Sequence, residues 1–155
     1  MKTVGEISSP ADEINASETV VTALKRLRDS RNGFLVVTEG KKVKGVLAVG
    51  DVFRAYFHYV ACHYPTQKHR ETYTDLTQYF DRKKFLDENK VDFAKQTVKE
   101  LMNTRPKIVQ KEVQIPEAVE LMKTFDLKSL AVINENHELI GVINRTDLLL
   151  EELEE

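Results

Sequence analysis

The polar chemistry that stands out in this chain lies at two aspartates, Asp51 and Asp147, each of which precedes a run of apolar residues. A carboxylate at the start of a helix commonly caps it and contributes on the order of 1 kcal/mol to stability. For Asp51, capping alone is the favoured interpretation. Asp147 follows Asn144 and Arg145, whose amide and guanidinium groups can bind polar and anionic partners. At Asp147, capping and ligand binding are therefore both open hypotheses.

A second group of reactive side chains is formed by His58, Cys62, His63 and His69. The spacing of His58 and Cys62 would place them on one face of a helix. The group matches no known zinc signature and contains no second cysteine, so we favour ordinary structural roles over a metal site. The sequence also lacks a P-loop, a nucleophile elbow and an H-E-x-x-H motif. We therefore predict a protein without catalytic activity.

The composition excludes several classes of protein. The 155 residues include 23 Lys and Arg and 25 Asp and Glu, which gives a formal net charge of −2 and no reason to expect nucleic-acid binding. No apolar run approaches the roughly 20 residues that a membrane helix requires. The first residues do not form a secretory signal, and the lone Cys62 cannot form an internal disulfide. We expect a cytoplasmic protein that does not bind membranes.

The two aspartates belong to an internal repeat. Residues 43–53 align without a gap with residues 139–149, at an offset of 96 residues. Residues 34–38 align with residues 130–134 at the same offset. Further upstream, residues 20–24 align with 115–119 at an offset of 95. Self-similarity of this kind predicts two copies of one structural unit.

Each copy shows the same order of predicted elements. Apolar residues spaced three and four apart predict amphipathic helices over 20–27 and 115–125. Turn residues at 39–41 and 134–136 separate β-rich runs and predict hairpins. The apolar run after each aspartate predicts a second helix, and a short extended piece precedes each unit, at Ile14 and at 108–109.

The predicted fold class is α/β, more narrowly α+β, with two pseudo-symmetric helix-strand-strand-helix repeats. We assign residues 1–60 to repeat 1, 61–96 to a helical insertion and 97–155 to repeat 2. A repeat of about 55 residues buries too little apolar surface to be stable alone. Strands 34–38 and 130–134 are therefore expected to be buried where the repeats pack about a pseudo-twofold axis.

The insertion matches neither repeat and is long for a linker. Leu76, Tyr79 and Phe80 would lie on one face of a helix, and Phe85 and Leu86 follow them. We predict one or two helices that pack on the repeats or on a second subunit.

The paired repeats resemble the cystathionine β-synthase (CBS) domain pair, also called a Bateman module, over residues 1–60 and 97–153. The best-matching stretches are 97–102, 106–122 and 139–147. The resemblance implies a sensor that binds an adenosine nucleotide such as AMP, ADP or ATP in a cleft between the repeats. It also implies a homodimer that regulates another protein and holds no resident cofactor.

The same resemblance assigns roles to residues. In that family the aspartate accepts hydrogen bonds from ribose hydroxyls, as suits a group that only accepts them. A Thr or Ser three residues earlier helps to hold the ribose or phosphate, and Ala48 and Asn144 replace it here. Glu13 and Ile108 stand where the family often has Thr. Leu35 and Ala131 stand where the family often has Pro at the start of the inner strand. The candidate ligand-binding residues are Leu35, Ala48, Asp51, Lys107, Ile108, Ala131, Asn144, Arg145, Thr146 and Asp147.

Two functions of different classes follow. The leading hypothesis is a regulatory ligand-sensing module, and the alternative is a ligand-free dimerisation or docking module. Because repeat 2 has Asn144 and Arg145 beside its aspartate, we expect the cleft that contains Asp147 to be the tighter site. The apolar helix positions expected to include contacts with a second chain are Leu24, Leu27, Leu121 and Phe125.

Overall fold

The structure, a computed structural model, describes residues 2–63 and 92–154, without the side chains of 60–63. The first half contains α1 (Val4–Ile7), β1 (Glu13–Asn15), α2 (Val20–Arg28), β2 (Phe34–Glu39), β3 (Lys42–Ala48) and α3 (Val49–His63). The second half contains α4 (Val98–Leu101), β4 (Ile108–Gln110), α5 (Ile115–Phe125), β5 (Ser129–Ile133), β6 (Leu139–Asn144) and α6 (Arg145–Glu154). The predicted fold class and order of elements are confirmed.

Local sequence signals mark the ends of two of the longer helices. The Oγ1 of Thr19 accepts a hydrogen bond from the N–H of Thr22 at 3.3 Å, which satisfies one free donor at the start of α2. Helix α5 has a proline in its first turn and is followed by its C-cap residue Asp126, which adopts the left-handed conformation at φ 50°.

The predicted hairpins are confirmed, and they differ in length. In repeat 1 the turn is formed by Gly40 and Lys41, both with positive φ, at 56° and 72°. Positive φ at both positions is typical of the two-residue turns that match strand twist. In repeat 2 the connection is longer, and the Oδ1 of Asn134 accepts hydrogen bonds from the N–H groups of Asn136 and Glu138, both at 2.9 Å.

Each sheet has a third strand beside the hairpin. Strand β1 pairs in parallel with β2, and β4 pairs in parallel with β5, which gives the orders β1-β2-β3 and β4-β5-β6. These are the short extended pieces predicted before each unit. Parallel pairing places the start of β1 beside the start of β2, where the candidate site residues lie.

The structure corrects the alignment of the inner strands by one residue. Val37 pairs with Gly45 and Val132 with Gly141, so Val132 is the true equivalent of Val37, at an offset of 95. The offset changes to 96 only in the longer second hairpin. Our alignment of residues 34–38 with 130–134 at an offset of 96 was wrong. Because neighbouring strand residues face opposite sides, a one-residue error exchanges the faces of every side chain.

The two sheets pack against each other, as predicted. A buried cluster of Val36 and Val43 from repeat 1 and Ala131 and Ile133 from repeat 2 joins them. Residues 35–38 and 130–133 are buried. The opposite faces of the sheets are covered by the long helices of the same repeat and by one short helix of the other repeat.

The short helices α1 and α4 are exchanged between the repeats, which the sequence did not indicate. Val4 of α1 is fully buried in the core of repeat 2, and Val98 of α4 is fully buried in the core of repeat 1. The backbone groups of Ser9 and Val142 exchange hydrogen bonds of 2.9 and 2.8 Å, and those of Asn103 and Val46 exchange bonds of 2.8 and 3.1 Å. These reciprocal contacts are the pattern that a pseudo-twofold axis produces.

One of the residues proposed for a dimer contact is not available for it. Leu27 is 8% exposed and lies in the core of repeat 1, whereas Leu121 is half-buried against the core of repeat 2. Leu27 faces inward because it completes the apolar stripe of its helix. Leu24 and Phe125 are exposed.

The middle of the predicted insertion, residues 64–91, lies outside the described residues, as do Leu76, Tyr79, Phe80, Phe85 and Leu86. Phe93 is buried in repeat 1, with its ring centroid 5.1 Å from that of Tyr56 and 5.8 Å from that of Tyr59. Across the described ranges, no helix is long and apolar enough to cross a membrane.

Candidate functional site

The two aspartates lie at equivalent points of the fold. Each is the third residue of a helix that directly follows the last strand of its sheet: Asp51 in α3 and Asp147 in α6. The same edge of each sheet holds the starts of the two parallel strands. The fold therefore brings the candidate residues of one repeat to one edge, although they are distant in sequence.

In repeat 2, Asn144 caps the helix. Its Oδ1 accepts a hydrogen bond from the N–H of Asp147 at 2.8 Å. Asn144 thus takes the capping role that we considered for Asp147. The Asp147 side chain is half-buried, and its carboxylate accepts no hydrogen bond from any group within residues 2–63 and 92–154. Two acceptor oxygens are therefore available at the start of α6.

Two of the candidate basic side chains contact residues at the end of α5. The Nη1 of Arg145 is 3.9 Å from the Oδ1 of the exposed Asp126, and the Arg145 side chain is itself half exposed. The Nζ of Lys107 lies 4.2 Å from the ring centroid of Phe125, a cation–π contact. Both cations therefore have weak, solvent-exposed partners. Thr146 is exposed.

In repeat 1, both carboxylate oxygens of Asp51 have partners. The Oδ2 accepts a hydrogen bond from the backbone N–H of Ala48 at 2.9 Å, which helps to cap the start of α3. The Oδ1 accepts one from the Nη2 of Arg54 at 2.6 Å. Sequence reasoning missed Arg54, although Asp and Arg at i and i+3 of a helix are close enough to form an ion pair.

The apolar candidates are placed differently in the two repeats. Ala131 is buried between the sheets, and Ile108, which pairs with it in register, is half-buried against the same cluster. Leu35 lies instead in the core between the sheet of repeat 1 and its helices, so the pairing of Leu35 with Ala131 was wrong. The residue of repeat 1 that faces the other sheet is Val36.

Two cavities are each lined in part by a candidate residue, and neither of the two is lined by Asp51 or Asp147. The larger, of about 390 Å³, lies beside α2 and is lined by Asp12, Glu13, Thr22, Lys25, Arg26, Asp29 and Leu35. Two of its charged side chains have internal partners: the Nη1 of Arg26 donates to the Glu13 carbonyl at 2.8 Å, and the Oγ1 of Thr38 donates to the Glu13 carboxylate at 2.7 Å. The smaller, of about 180 Å³, lies between α5 and α6 and is lined by Val119, Met122, Lys123, Asp126, Arg145, Leu148 and Leu149.

The metal hypothesis stays untested. The side chains of Cys62 and His63, and the whole of His69, lie outside the described residues. Within the part of the chain that is described, no group of three or more His, Cys, Asp or Glu side chains could hold a metal ion.

Comparison with known proteins was made at the level of family, sequence and structure. The family model of the CBS domain matches residues 4–58 and 98–154. The chain is 28% identical over 142 residues to chloride channel protein D of Dictyostelium discoideum. That match covers 86% of this chain and only 14% of the relative.

The fold is similar to two solved structures that contain adenine nucleotides. The crystal structure of CBSX2 in complex with AMP has a TM-score of 0.69 and 19% identity, and the match covers 99% of this chain and 98% of that one. The cytosolic domain of the Mg²⁺ channel MgtE in complex with ATP has a TM-score of 0.65 and 20% identity. That match covers 96% of this chain and 48% of the other.

Proposed function

The chain belongs to the CBS domain family, and from that premise we propose that it is a non-catalytic regulatory module that binds an adenosine nucleotide between the repeats, at the carboxylate of Asp147. Proteins of the same fold have been crystallised with AMP and with ATP. Such a module would regulate another protein and would hold no resident cofactor.

The observation that best supports this proposal is the available carboxylate of Asp147. Asn144 caps helix α6, so the carboxylate is not needed to satisfy the helix. A half-buried carboxylate with both oxygens available can accept two hydrogen bonds from the adjacent hydroxyls of a ribose. This arrangement favours a diol over a ligand that only accepts hydrogen bonds.

Other groups of repeat 2 suit the remaining parts of a nucleotide. Backbone N–H groups at the start of α6 attract phosphate. Arg145 and Lys107 can leave their weak partners to bind it, because exposed ion pairs and cation–π contacts contribute about 1 kcal/mol or less. Ile108 offers apolar contact to a base. Ala131 is too deeply buried to touch a ligand unless the sheets separate.

Thermal unfolding in the presence of nucleotides tests the proposal. A ligand that binds only the folded state at 100 times its Kd stabilises it by about 2.7 kcal/mol, which raises the Tm of a domain of this size by about 5 °C or more. We expect such a rise with at least one of AMP, ADP, ATP, S-adenosylmethionine and NADH. If none of them changes the Tm at millimolar concentration, the proposal is wrong.

Exposed apolar helix faces favour a second candidate function, dimerisation or docking without a ligand. On α3, Val49, Phe53 and Phe57 recur every four residues and are all exposed, and the rings of Phe53 and Phe57 are 5.8 Å apart. Contiguous exposed apolar residues commonly mark interaction surfaces. We propose that the chain forms a homodimer through such faces, and light scattering tests this without any ligand.

A further inference from the structure

We propose that Arg54 determines which repeat binds nucleotide, because its guanidinium occupies the carboxylate of Asp51 and lowers the affinity of the repeat 1 cleft. The inference rests on the proposed function and extends it to the difference between the two sites. Repeat 2 has no equivalent cation. The chain would therefore bind one nucleotide, at Asp147, although it contains two aspartates in equivalent positions.

The geometry of Arg54 is specific to the carboxylate. Its Nη2 donates to the Oδ1 of Asp51 at 2.6 Å. The guanidinium also lies over the first turn of α3, since a Cβ added at Gly50 would be 3.3 Å from the Nη1 of Arg54. The Arg54 side chain is 76% exposed, whereas that of Asp51 is only 20% exposed. The arginine thus covers the side of the carboxylate that a ligand would approach.

The second oxygen of Asp51 is also engaged, by the N–H of Ala48. A ribose diol that bound Asp51 would have to displace the guanidinium and share the other oxygen with the backbone. Exposed ion pairs are individually weak, so displacement of Arg54 alone would lower affinity by up to about fivefold. A diol that binds Asp147 displaces no cation and shares neither oxygen with a backbone N–H.

Repeat 2 contains a position that is equivalent to Arg54 and can be compared with it. Helices α3 and α6 begin 96 residues apart, and the buried Val52 and Leu148 are equivalent within them. The equivalent of Arg54 is therefore Leu150, which is 48% exposed and cannot donate a hydrogen bond. Because both positions are largely exposed, exchanging their residues should leave the fold intact.

An opposite role for Arg54 makes an opposite prediction. If its guanidinium served to bind the phosphate of a ligand in repeat 1, replacing it by leucine would weaken binding there. If it competes with the ligand for Asp51, the same change strengthens binding. A gain of affinity on removing a cation would not follow from a purely structural role.

The experiment is calorimetric titration with AMP in two backgrounds. In the Asp147→Ala background, which removes the repeat 2 acceptor, Arg54→Leu should tighten AMP binding by about fivefold. In the otherwise wild-type chain, Leu150→Arg should weaken AMP binding by a similar factor. Arg28→Leu is the charge control, because Arg28 is an exposed arginine of α2 and its loss should change neither affinity. Circular dichroism, Tm and the mass by light scattering must match the parent chain for each variant, because Leu150 also belongs to the exposed apolar surface of α6.

The outcomes separate this inference from the proposed function. If the wild type binds AMP through Asp147 but Arg54→Leu leaves the repeat 1 affinity unchanged or weaker, the inference is wrong and the proposed function stands. If the wild type does not bind AMP but Arg54→Leu does, the inference stands and the assignment to repeat 2 is wrong. If neither protein binds AMP, the inference is wrong, whereas the proposed function fails only if the other nucleotides of the thermal test also leave the Tm unchanged.

Discussion

At the scale of single residues, the two repeats differ in what contacts the aspartate carboxylate. In repeat 1 the carboxylate of Asp51 accepts hydrogen bonds from a backbone N–H and from Arg54. In repeat 2 an asparagine side chain caps the helix, and the carboxylate of Asp147 stays available. The same residue at the same fold position is thus mainly structural in one repeat and suited to ligand binding in the other.

Asp147→Ala is expected to weaken AMP binding far more than Asp51→Ala. A hydrogen bond to a charged group is worth roughly 1.5–3 kcal/mol, so the loss at Asp147 should be about tenfold or more. Asp51→Ala should leave AMP affinity within about twofold of wild type. Calorimetric titration measures both.

The control for this pair is stability, because the two variants are expected to differ in it too. Asp51→Ala removes a capping interaction of about 1 kcal/mol, whereas Asp147→Ala leaves the Asn144 cap in place. Both proteins must remain folded at the titration temperature. Equal losses of affinity in the two variants would contradict the assignment of the ligand to repeat 2.

Part of this site could be predicted from the sequence. The constant spacing within the repeat identified both aspartates, and the change from Ala48 to Asn144 indicated an asymmetry between them. The ion pair between Arg54 and Asp51 could not be predicted, because it depends on the side-chain conformation of a long residue and not on spacing alone. The assignment of Leu35 as the equivalent of Ala131 was wrong because the two hairpins differ in length by one residue. Only the strand pairing reveals this difference.

At the scale of elements, the exchanged segments explain the two glycines of the repeat. A Cβ at Gly45 would lie 2.5 Å from the carbonyl oxygen of Asn103, and one at Gly141 would lie 2.6 Å from that of Ser9. The crossing segments approach β3 and β6 this closely because no side chain intervenes. The exchange could not be predicted, because the helices involved have four residues each and contact strands of the other repeat.

Gly45→Ala and Gly141→Ala are each expected to lower the free energy of unfolding by about 1–3 kcal/mol, since the added methyl group presses on backbone that must move. Denaturant unfolding measures this. Gly50→Ala is the control: its Cβ would meet only the flexible end of Arg54, and its stability should change by about 0.5 kcal/mol or less. If all three variants were equally stable, close packing of the crossing segments would not explain the glycines.

At the scale of the whole molecule, each repeat presents an apolar helix face to solvent. The face of repeat 1 is formed by Val21 and Leu24 of α2 and Val49, Phe53 and Phe57 of α3. The face of repeat 2 is formed by Phe125 of α5 and Leu149, Leu150 and Leu153 of α6. The sheets cannot cover these side chains, because they already pack on each other. A second chain can cover them, and a symmetric arrangement would cover the same face on both chains.

We expect light scattering to give about 36 kDa, twice the 17.8 kDa of one chain. Phe53→Glu should lower this mass toward that of one chain, because it would place two like charges close together at the centre of the repeat 1 face, where Phe53 is 59% exposed. Leu149→Glu makes the matched change on the repeat 2 face, since Leu149 is the equivalent of Phe53 and is 50% exposed. If only Leu149→Glu dissociates the dimer, the interface lies on repeat 2.

A mass of about 18 kDa for the wild type at all practical concentrations would contradict the dimer, and the exposed faces would then have to bind a different protein.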